Sequence, residues 1–168
     1  MLSLGLGLAA TPGLAATVTT TSDSGAGSLR QAIADAPTGD TITFTIPSLD
    51  LGCTSGVCTI TLTSGELVID KELTISGPGA DQLTISGNDT SRVFFINPGA
   101  PGALTGSPAI NPVVNISNLT IADGKAKGGN GGIGQCRASG GGGAAGLGGG
   151  LFINNATVSI SGINFDHN

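Results

Sequence analysis

Short runs in which an aliphatic residue alternates with Thr or Ser constrain the fold more than any other feature. Residues 41–46 read Thr-Ile-Thr-Phe-Thr-Ile, and residues 59–63 read Thr-Ile-Thr-Leu-Thr. Successive side chains of a β-strand point to opposite faces, so this alternation predicts strands with one buried apolar face and one hydroxyl-rich face. The same two-residue step recurs in the pairs Leu67/Ile69, Leu73/Ile75, Leu83/Ile85, Val114/Ile116, Leu119/Ile121, Val158/Ile160 and Ile163/Phe165. Residues 92–96 are a further, less regular strand.

Internal similarity predicts how these strands are arranged. Residues 73–77, Leu-Thr-Ile-Ser-Gly, recur unchanged at 83–87, and residues 116–121 recur in similar form at 160–165. Short strands in a repeating context favour a parallel β-solenoid, in which like residues stack about 4.8 Å apart. An antiparallel sandwich is the alternative. A doubly wound α/β sheet is excluded because no helical pattern lies between the strands.

One segment, residues 28–36, has the pattern of a helix. Ser28 and Gln31 are spaced as in a capping box, and Leu29 and Ile33 share one apolar face. A helix of two to three turns is too short to persist alone, so it must dock on the rest of the domain. We expect it to cap the N-terminal end of the solenoid.

The first 15 residues have the pattern of a secretory signal peptide. A short apolar run precedes Pro12, and Gly13 and Ala15 supply small residues at the cleavage positions. A buried apolar strand is the alternative interpretation. Cleavage would leave residues 16–168 as the N-terminal part of a β-solenoid domain in an exported protein. No apolar run approaches the roughly 20 residues of a membrane-spanning helix.

Composition excludes several classes of function. The net charge is −5, charged residues make up 10% of the chain, and hydrophobic residues make up 39%. An acidic chain without a basic stripe is not a nucleic-acid binder. Low charge with this apolar content is the wrong balance for a disordered chain. The 30 glycines have no three-residue period, which excludes collagen.

A glycine-rich segment covers residues 124–150, with 14 glycines in 27 residues. It lacks a periodic apolar face, so we expect a floppy loop projecting between two coils of the solenoid, and a functional excursion is the alternative. Cys136 lies in it and is available for intermolecular pairing if the protein is exported.

Cys53 and Cys58 lie between two Thr-rich strands and are separated by four residues. In an exported protein this spacing predicts a small loop closed by a disulfide. A metal site is not expected there, because two more ligands would be needed and none is near.

The acidic residues do not suggest a catalytic site. Asp81, Asp89 and Asp123 stand in turn sequences, where Asp is common for backbone reasons. The single His, His167, follows Asp166. We therefore predict no catalytic residue, no metal site and no cofactor.

Two stretches resemble known families. Residues 25–33, Gly-Ala-Gly-Ser-Leu-Arg-Gln-Ala-Ile, followed by Gly-Asp-Thr-Ile at 39–42, resemble the opening of exported bacterial right-handed parallel β-helix proteins that carry a C-S-L-R-E-A signature. Gly27 and Gln31 stand where that signature has Cys and Glu. The C-terminal stretch resembles the repeat of polymorphic outer membrane proteins in its residues Gly149, Gly150, Leu151, Phe165 and Asn168.

The resemblance implies an all-β, right-handed parallel β-helix of the pectate-lyase-like fold, with a short N-terminal capping helix. The function it implies is a non-enzymatic, adhesin-like scaffold, secreted or on the cell surface. Expected partners are a cell-surface protein or a polysaccharide, with outer-membrane association through a domain beyond Asn168. The alternative is a polysaccharide lyase or hydrolase whose active site lies beyond this fragment. We also expect residues 16–168 to self-associate through an uncapped last coil of the solenoid.

Overall fold

The computed structural model describes residues 16–97, 113–128, 145–154 and 156–168. Within these residues the chain is mostly β-structure with one short helix. The elements are β1 (Ala16–Val18), α1 (Leu29–Asp35), β2 (Asp40–Phe44), β3 (Cys53–Thr54), β4 (Val57–Thr61), β5 (Leu67–Ile69), β6 (Leu73–Ser76), β7 (Leu83–Ser86), β8 (Phe94–Ile96), β9 (Val113–Ala122), β10 (Leu151–Ile153) and β11 (Thr157–Asp166).

Two sheets contain all the described strands. The main sheet has the order β1-β2-β6-β9-β7-β4-β3, with β11 also paired to β9. The smaller sheet has the order β10-β8-β5. Every pairing is parallel except the one between β3 and β4. The antiparallel sandwich considered from the sequence is therefore not the arrangement of this chain.

The right-handed parallel β-helix predicted from the sequence is also wrong. The strand order makes the main sheet a curled half-barrel, accompanied by a small parallel sheet, rather than a solenoid. Strand β9 is central to this difference. Its first half pairs with β6 and its second half pairs with β7, so two strands that follow each other in the chain lie against one long neighbour.

The internal similarities of the sequence have a different origin from the one predicted. The matching segments at 73–77 and 83–87 contain β6 and β7, which need the same alternation because both pack against β9. The matching segments at 116–121 and 160–165 belong to β9 and β11, which pair with each other in register. The resemblance to β-helix proteins rested on other residues, the stretch at 25–42 and the five motif residues near the C-terminus, and the β-helix fold that it implied is wrong as well.

The core lies on the inward side of the main sheet and against the smaller sheet. Ile42, Ile75 and Ile116 are paired in register across β2, β6 and β9, and all three are buried. The smaller sheet contributes Phe94 of β8, whose side chain is also buried. Apolar residues occupy alternate positions and Thr or Ser the positions between them, so the hydroxyl groups of the main sheet lie on its outward side.

Helix α1 packs beside β1 and β5 and covers one end of the core. Ser28 is its N-cap, and the Ser28 hydroxyl accepts a hydrogen bond from the backbone N–H of Gln31 at 3.2 Å. The Gln31 side chain donates to Asp35 rather than back to the cap, so only one half of the expected capping box forms. Leu29 and Ile33 are buried. The helix closes a half-barrel core, not the end of a solenoid.

The predicted signal peptide at 1–15, Cys136 and residues 129–144 of the glycine-rich segment lie outside the described residues. The two described ends of that segment meet, because Gly124 and Gly149 are in backbone contact. No helix in the described ranges is long and apolar enough to cross a membrane.

Candidate functional site

The positions of the ionisable side chains show where metal binding or catalysis would be possible. In the part of the chain that the structure describes, no three His, Cys, Asp or Glu side chains come together in a way that could hold a metal ion. Asp123 accepts a hydrogen bond from the Ser86 hydroxyl at 2.8 Å. His167 lies 2.9 Å from Asp166, and both side chains are exposed. These groups have local, structural partners.

Asp23 is the most strongly held carboxylate that we find. Its Oδ1 accepts from Nη2 of Arg30 at 2.6 Å, and its Oδ2 accepts from the backbone N–H of Ser64 at 2.8 Å and the hydroxyl of Thr63 at 3.1 Å. Burial by itself raises the pKa of this carboxyl group, but the hydrogen bonds from Ser64 and Arg30 and the charge of Arg30 outweigh it. The pKa of Asp23 falls from 3.8 to about 2.

Arg30 extends this cluster into a line of polar contacts. It also donates to the carbonyl oxygens of Gly65 at 2.7 Å and Glu66 at 2.8 Å. The Glu66 carboxylate accepts from Arg92 at 3.0 Å, and the Arg92 guanidinium lies 5.1 Å from the centre of the Phe152 ring. The line therefore joins the loop before α1, the loop before β5 and strand β10. These charges are used to hold segments together.

A groove of about 380 Å³ lies between α1 and β5. Its walls include Arg30, Ile33, Leu67 and Lys71. Lys71 Nζ donates to the carbonyl oxygens at the end of α1, at 3.2 Å each, where a cation is favoured by the helix dipole. Arg30 and Lys71 thus already donate to backbone carbonyl oxygens, and the carboxylates Glu66 and Asp70 also line the groove.

The five residues predicted as a repeat motif divide into two groups. Gly149 and Gly150 lie against Asn168, and the Asn168 side chain accepts from the backbone N–H of Gly124 at 2.9 Å and donates to the carbonyl of Ile121 at 2.8 Å. Leu151 pairs with Phe94, and Phe165 pairs with Ile121. The glycines and Asn168 form a close backbone junction, and the other two residues belong to strands.

Cys53 and Cys58 form a disulfide in the structure. They face each other across the antiparallel pair β3–β4. The preceding loop is organised by Asp50, which accepts hydrogen bonds from the hydroxyl and backbone N–H of Thr21 and from Gly52. These hydrogen bonds, that of the Thr21 hydroxyl first, lower the pKa of the Asp50 carboxyl group. The disulfide closes one edge of the main sheet.

The outward side of the main sheet carries an ordered array of polar, uncharged side chains. One row crosses four strands in register and consists of Thr41, Thr74, Asn115 and Ser159. A second row lies two residues further along the strands and consists of Thr17 and Thr43 on β1 and β2, and Ser76, Ser117 and Ser161 on β6, β9 and β11. We refer to these nine residues as the hydroxyl face. None of them is buried.

The geometry of the hydroxyl face follows from sheet geometry. Neighbouring strands lie about 4.8 Å apart and alternate residues about 6.7 Å apart, so the polar groups form a regular two-dimensional array. Asn115 Nδ2 lies 3.4 Å from the Thr74 hydroxyl, and the hydroxyl oxygens of Thr17 and Thr43 lie 3.5 Å apart. Each hydroxyl group can both donate and accept a hydrogen bond, and the amide does the same with separate atoms. The face can therefore exchange hydrogen bonds with an uncharged, polar ligand.

Sequence reasoning missed the hydroxyl face. It placed the Thr and Ser residues on the outward faces of strands, but it could not show which of them are neighbours. That depends on the register of strands up to 44 residues apart in the chain, as for Asn115 and Ser159. The cluster around Asp23 and Arg30 was missed as well. An isolated Asp in a polar loop gives no signal of its partners.

Comparison with known proteins adds no relative. No protein family, no curated protein and no solved structure matches this chain. The resemblances to the C-S-L-R-E-A proteins and to the polymorphic outer membrane protein repeat are thus without support beyond the quoted residues.

Proposed function

We propose that this chain is a non-enzymatic, adhesin-like scaffold of an exported protein, and that its hydroxyl face binds a neutral polysaccharide. The observation that carries the proposal is the register that aligns Thr41, Thr74, Asn115 and Ser159 across four strands. A chain selected only for folding would need polar residues on this side, but charged residues would serve as well. None of the nine residues of the face is charged.

The chemistry of the face favours a neutral ligand rich in hydroxyl groups. An anionic polymer would find no cation among the nine residues, and a cationic one would find no carboxylate. A single hydrogen bond contributes only about 0.5–1.5 kcal/mol, because each partner gives up a hydrogen bond to water. Once one sugar unit is bound, the neighbouring units of the same polymer have a high effective concentration at the rest of the face. Several weak contacts can therefore hold an extended polymer chain.

The disulfide supports the exported location. Disulfides persist in oxidising compartments and are rare in the reducing cytosol. The Cys53–Cys58 bond is therefore compatible with a secreted or surface protein.

The test is binding of the purified chain to insoluble cellulose and chitin, with polygalacturonate as an anionic comparison. The double variant Thr74→Val with Ser117→Ala removes two hydroxyl groups from the face while keeping residues that suit their positions. We expect it to bind the neutral polymers about tenfold more weakly, as the loss of two net hydrogen bonds predicts. The matched control is Thr54→Val with Thr61→Ala, which removes two exposed hydroxyl groups on β3 and β4, outside the face.

Three results would count against the proposal. Equal binding by the face variant and the control variant would show that the hydroxyl face is not the contact surface. Stronger binding to polygalacturonate than to the neutral polymers would contradict the expected ligand class. Release of soluble sugars from any of the polymers would favour the lyase or hydrolase alternative.

A further inference from the structure

Strand β11 exposes side chains that its position in the sheet would normally bury. Ile160 and Phe165 are 48% and 47% exposed, whereas Ile116 and Ile121, their register partners on β9, are 1% and 0% exposed. The difference arises because β9 has neighbours on both sides. Strand β11 pairs with β9 on one side, and none of the described strands pairs with its other side.

The free side of β11 lacks the basic residues and the proline that commonly prevent strand pairing. Its sequence, Thr-Val-Ser-Ile-Ser-Gly-Ile-Asn-Phe-Asp, contains no Lys, Arg or Pro, and its only charge is Asp166 at the end. Natural edge strands are commonly protected by such residues, because a row of unpaired N–H and C=O groups is a template for another strand. A ten-residue edge without them is open to pairing.

The apolar residues of β11 are arranged symmetrically along the strand. Val158 and Ile160 precede the centre between Ser161 and Gly162, and Ile163 and Phe165 follow it at matching distances. All four face the core side, because their partners on β9 are buried at 0–1% exposure. Gly162 has a φ of +60°, which shifts the alternation by one residue and allows both halves to face the same way.

We propose that β11 pairs antiparallel with β11 of a second copy of this chain, about a twofold axis between Ser161 and Gly162. In this register Ile160 of one copy lies opposite Ile163 of the other, and Val158 lies opposite Phe165. The exposed apolar side chains of both copies become neighbours on the core side of one continuous sheet. The contact is isologous and therefore closes as a dimer.

Two observations favour a second copy in this orientation. Asp166 falls opposite the uncharged Thr157, so no like charges meet in the pair. A head-to-tail arrangement would instead place β11 against β1 of the next copy, but β1 has only three residues and lies at the end of the core that α1 covers. The dimer is independent of the proposed polysaccharide binding, because the hydroxyl face lies on the opposite side of the sheet.

The test has an association arm and a register arm. Sedimentation velocity of the chain over a hundredfold concentration range is expected to show a monomer–dimer equilibrium. Ile160→Lys is expected to weaken dimerisation at least tenfold, because the new charge lies opposite Ile163 of the partner. Leu51→Lys, a charge added at a fully exposed loop residue, is the matched control and should dimerise as the unmodified chain does.

The register arm uses two variants, Ile160→Cys and Ile163→Cys, each in a Cys136→Ser background, so that the new cysteine is the one thiol outside the Cys53–Cys58 disulfide. Mild oxidation of an equal mixture should give mainly the mixed disulfide, because directly opposed residues have Cα atoms about 5 Å apart while residues off the register lie beyond disulfide reach. This arm does not depend on whether Ile160→Lys folds. A concentration-independent monomer, assemblies that grow beyond a dimer, or cross-links without preference for the mixed pair would each overturn the proposal.

Discussion

At the scale of single residues, the charged side chains of Asp23 and Lys71 hold segments of the fold together. Asp23 receives hydrogen bonds from Arg30 of α1 and from the distant pair Thr63 and Ser64, and Lys71 donates to the carbonyl end of α1. The Asp23 side chain is 7% exposed, so its interactions are little screened by water. A carboxylate in this setting is worth more to stability than an exposed ion pair, which contributes about 0–1 kcal/mol.

Asp23→Asn should lower the free energy of unfolding by about 2 kcal/mol at pH 7, the equivalent of the change in pKa from 3.8 to about 2. Between these two pH values the unfolded chain binds a proton that the folded chain does not. The contribution is therefore complete above pH 3.8 and is lost as the pH falls towards 2. Urea unfolding of the variant and the unmodified chain between pH 7 and pH 2 measures this difference.

The exposed carboxylate Asp70 supplies the control for this prediction. Asp70→Asn should change the free energy of unfolding by less than about 0.5 kcal/mol at pH 7. A difference between Asp23→Asn and the unmodified chain that stays constant from pH 7 to pH 2 would show that the carboxylate charge is not the stabilising group.

The junction of Gly149 with Gly124 and Asn168 gives a second prediction at this scale. A Cβ atom on Gly149 would overlap the carbonyl oxygen of Gly124 and lie 3.1 Å from the backbone of Asn168. Both obstacles are backbone atoms, which cannot rotate away. Gly149→Ala should therefore cost about 1–3 kcal/mol of stability in urea unfolding. An unchanged midpoint would mean that the two loops are not in contact in solution.

At the scale of the elements, the sequence predicted where structure forms better than how it pairs. The aliphatic pairs lie in strands, and residues 28–36 contain α1. The pairs Val114/Ile116 and Leu119/Ile121 belong to one strand, β9, because Asn118 between them adopts a φ of +57° and the pairing with β11 continues past it. The alternation identifies the buried face of a strand. It contains no information on which strand is the neighbour.

Three short elements were not predicted from the sequence. They are β1, β3 and β10, which have two or three residues each. They form because longer segments present an edge or a disulfide partner, as β2 does for β1 and β4 does for β3. The hydroxyl face was not predicted either. Its residues were recognised as outward-facing, but their arrangement in rows depends on the register between distant strands.

Helix α1 supplies the prediction at this scale. Ile33 is 4% exposed and belongs to the core, so Ile33→Asp would bury an unpaired charge at the end that α1 covers. The variant should lose several kcal/mol of stability and unfold at a clearly lower temperature. Ala34→Asp, on the exposed side of the same helix, is the control and should lose less than about 1 kcal/mol. Equal melting temperatures for the two variants would contradict the described packing of α1.

At the scale of the whole molecule, the half-barrel has a well-connected middle and less protected margins. β6, β9 and β7 each have strand neighbours on both sides, whereas β3 and β10 lie at the margins of their sheets. Local opening is easiest where the fewest hydrogen bonds must break. The unfolding of this sheet should thus begin at its margins.

Hydrogen exchange measured by mass spectrometry should show this order. Peptides covering 73–76, 83–86 and 113–122 are expected to exchange slowest, at rates set by global unfolding, and peptides covering 53–54 and 151–153 are expected to exchange faster. Reduction of the Cys53–Cys58 disulfide should speed exchange at 53–54 and leave 113–122 unchanged. Equal protection of all five segments would indicate that the margins are held by contacts that the described residues do not contain.

The pairing of β9 with distant strands has a consequence for the rate of folding. Thr74 and Asn115 are neighbours in the sheet but 41 residues apart in the chain, and even Thr17 and Thr43 at the first pairing are 26 residues apart. Almost every strand must therefore close a long loop before it gains a hydrogen bond, and the tight β3–β4 pair is the only hairpin among the described strands. Such topologies fold in milliseconds to seconds rather than microseconds.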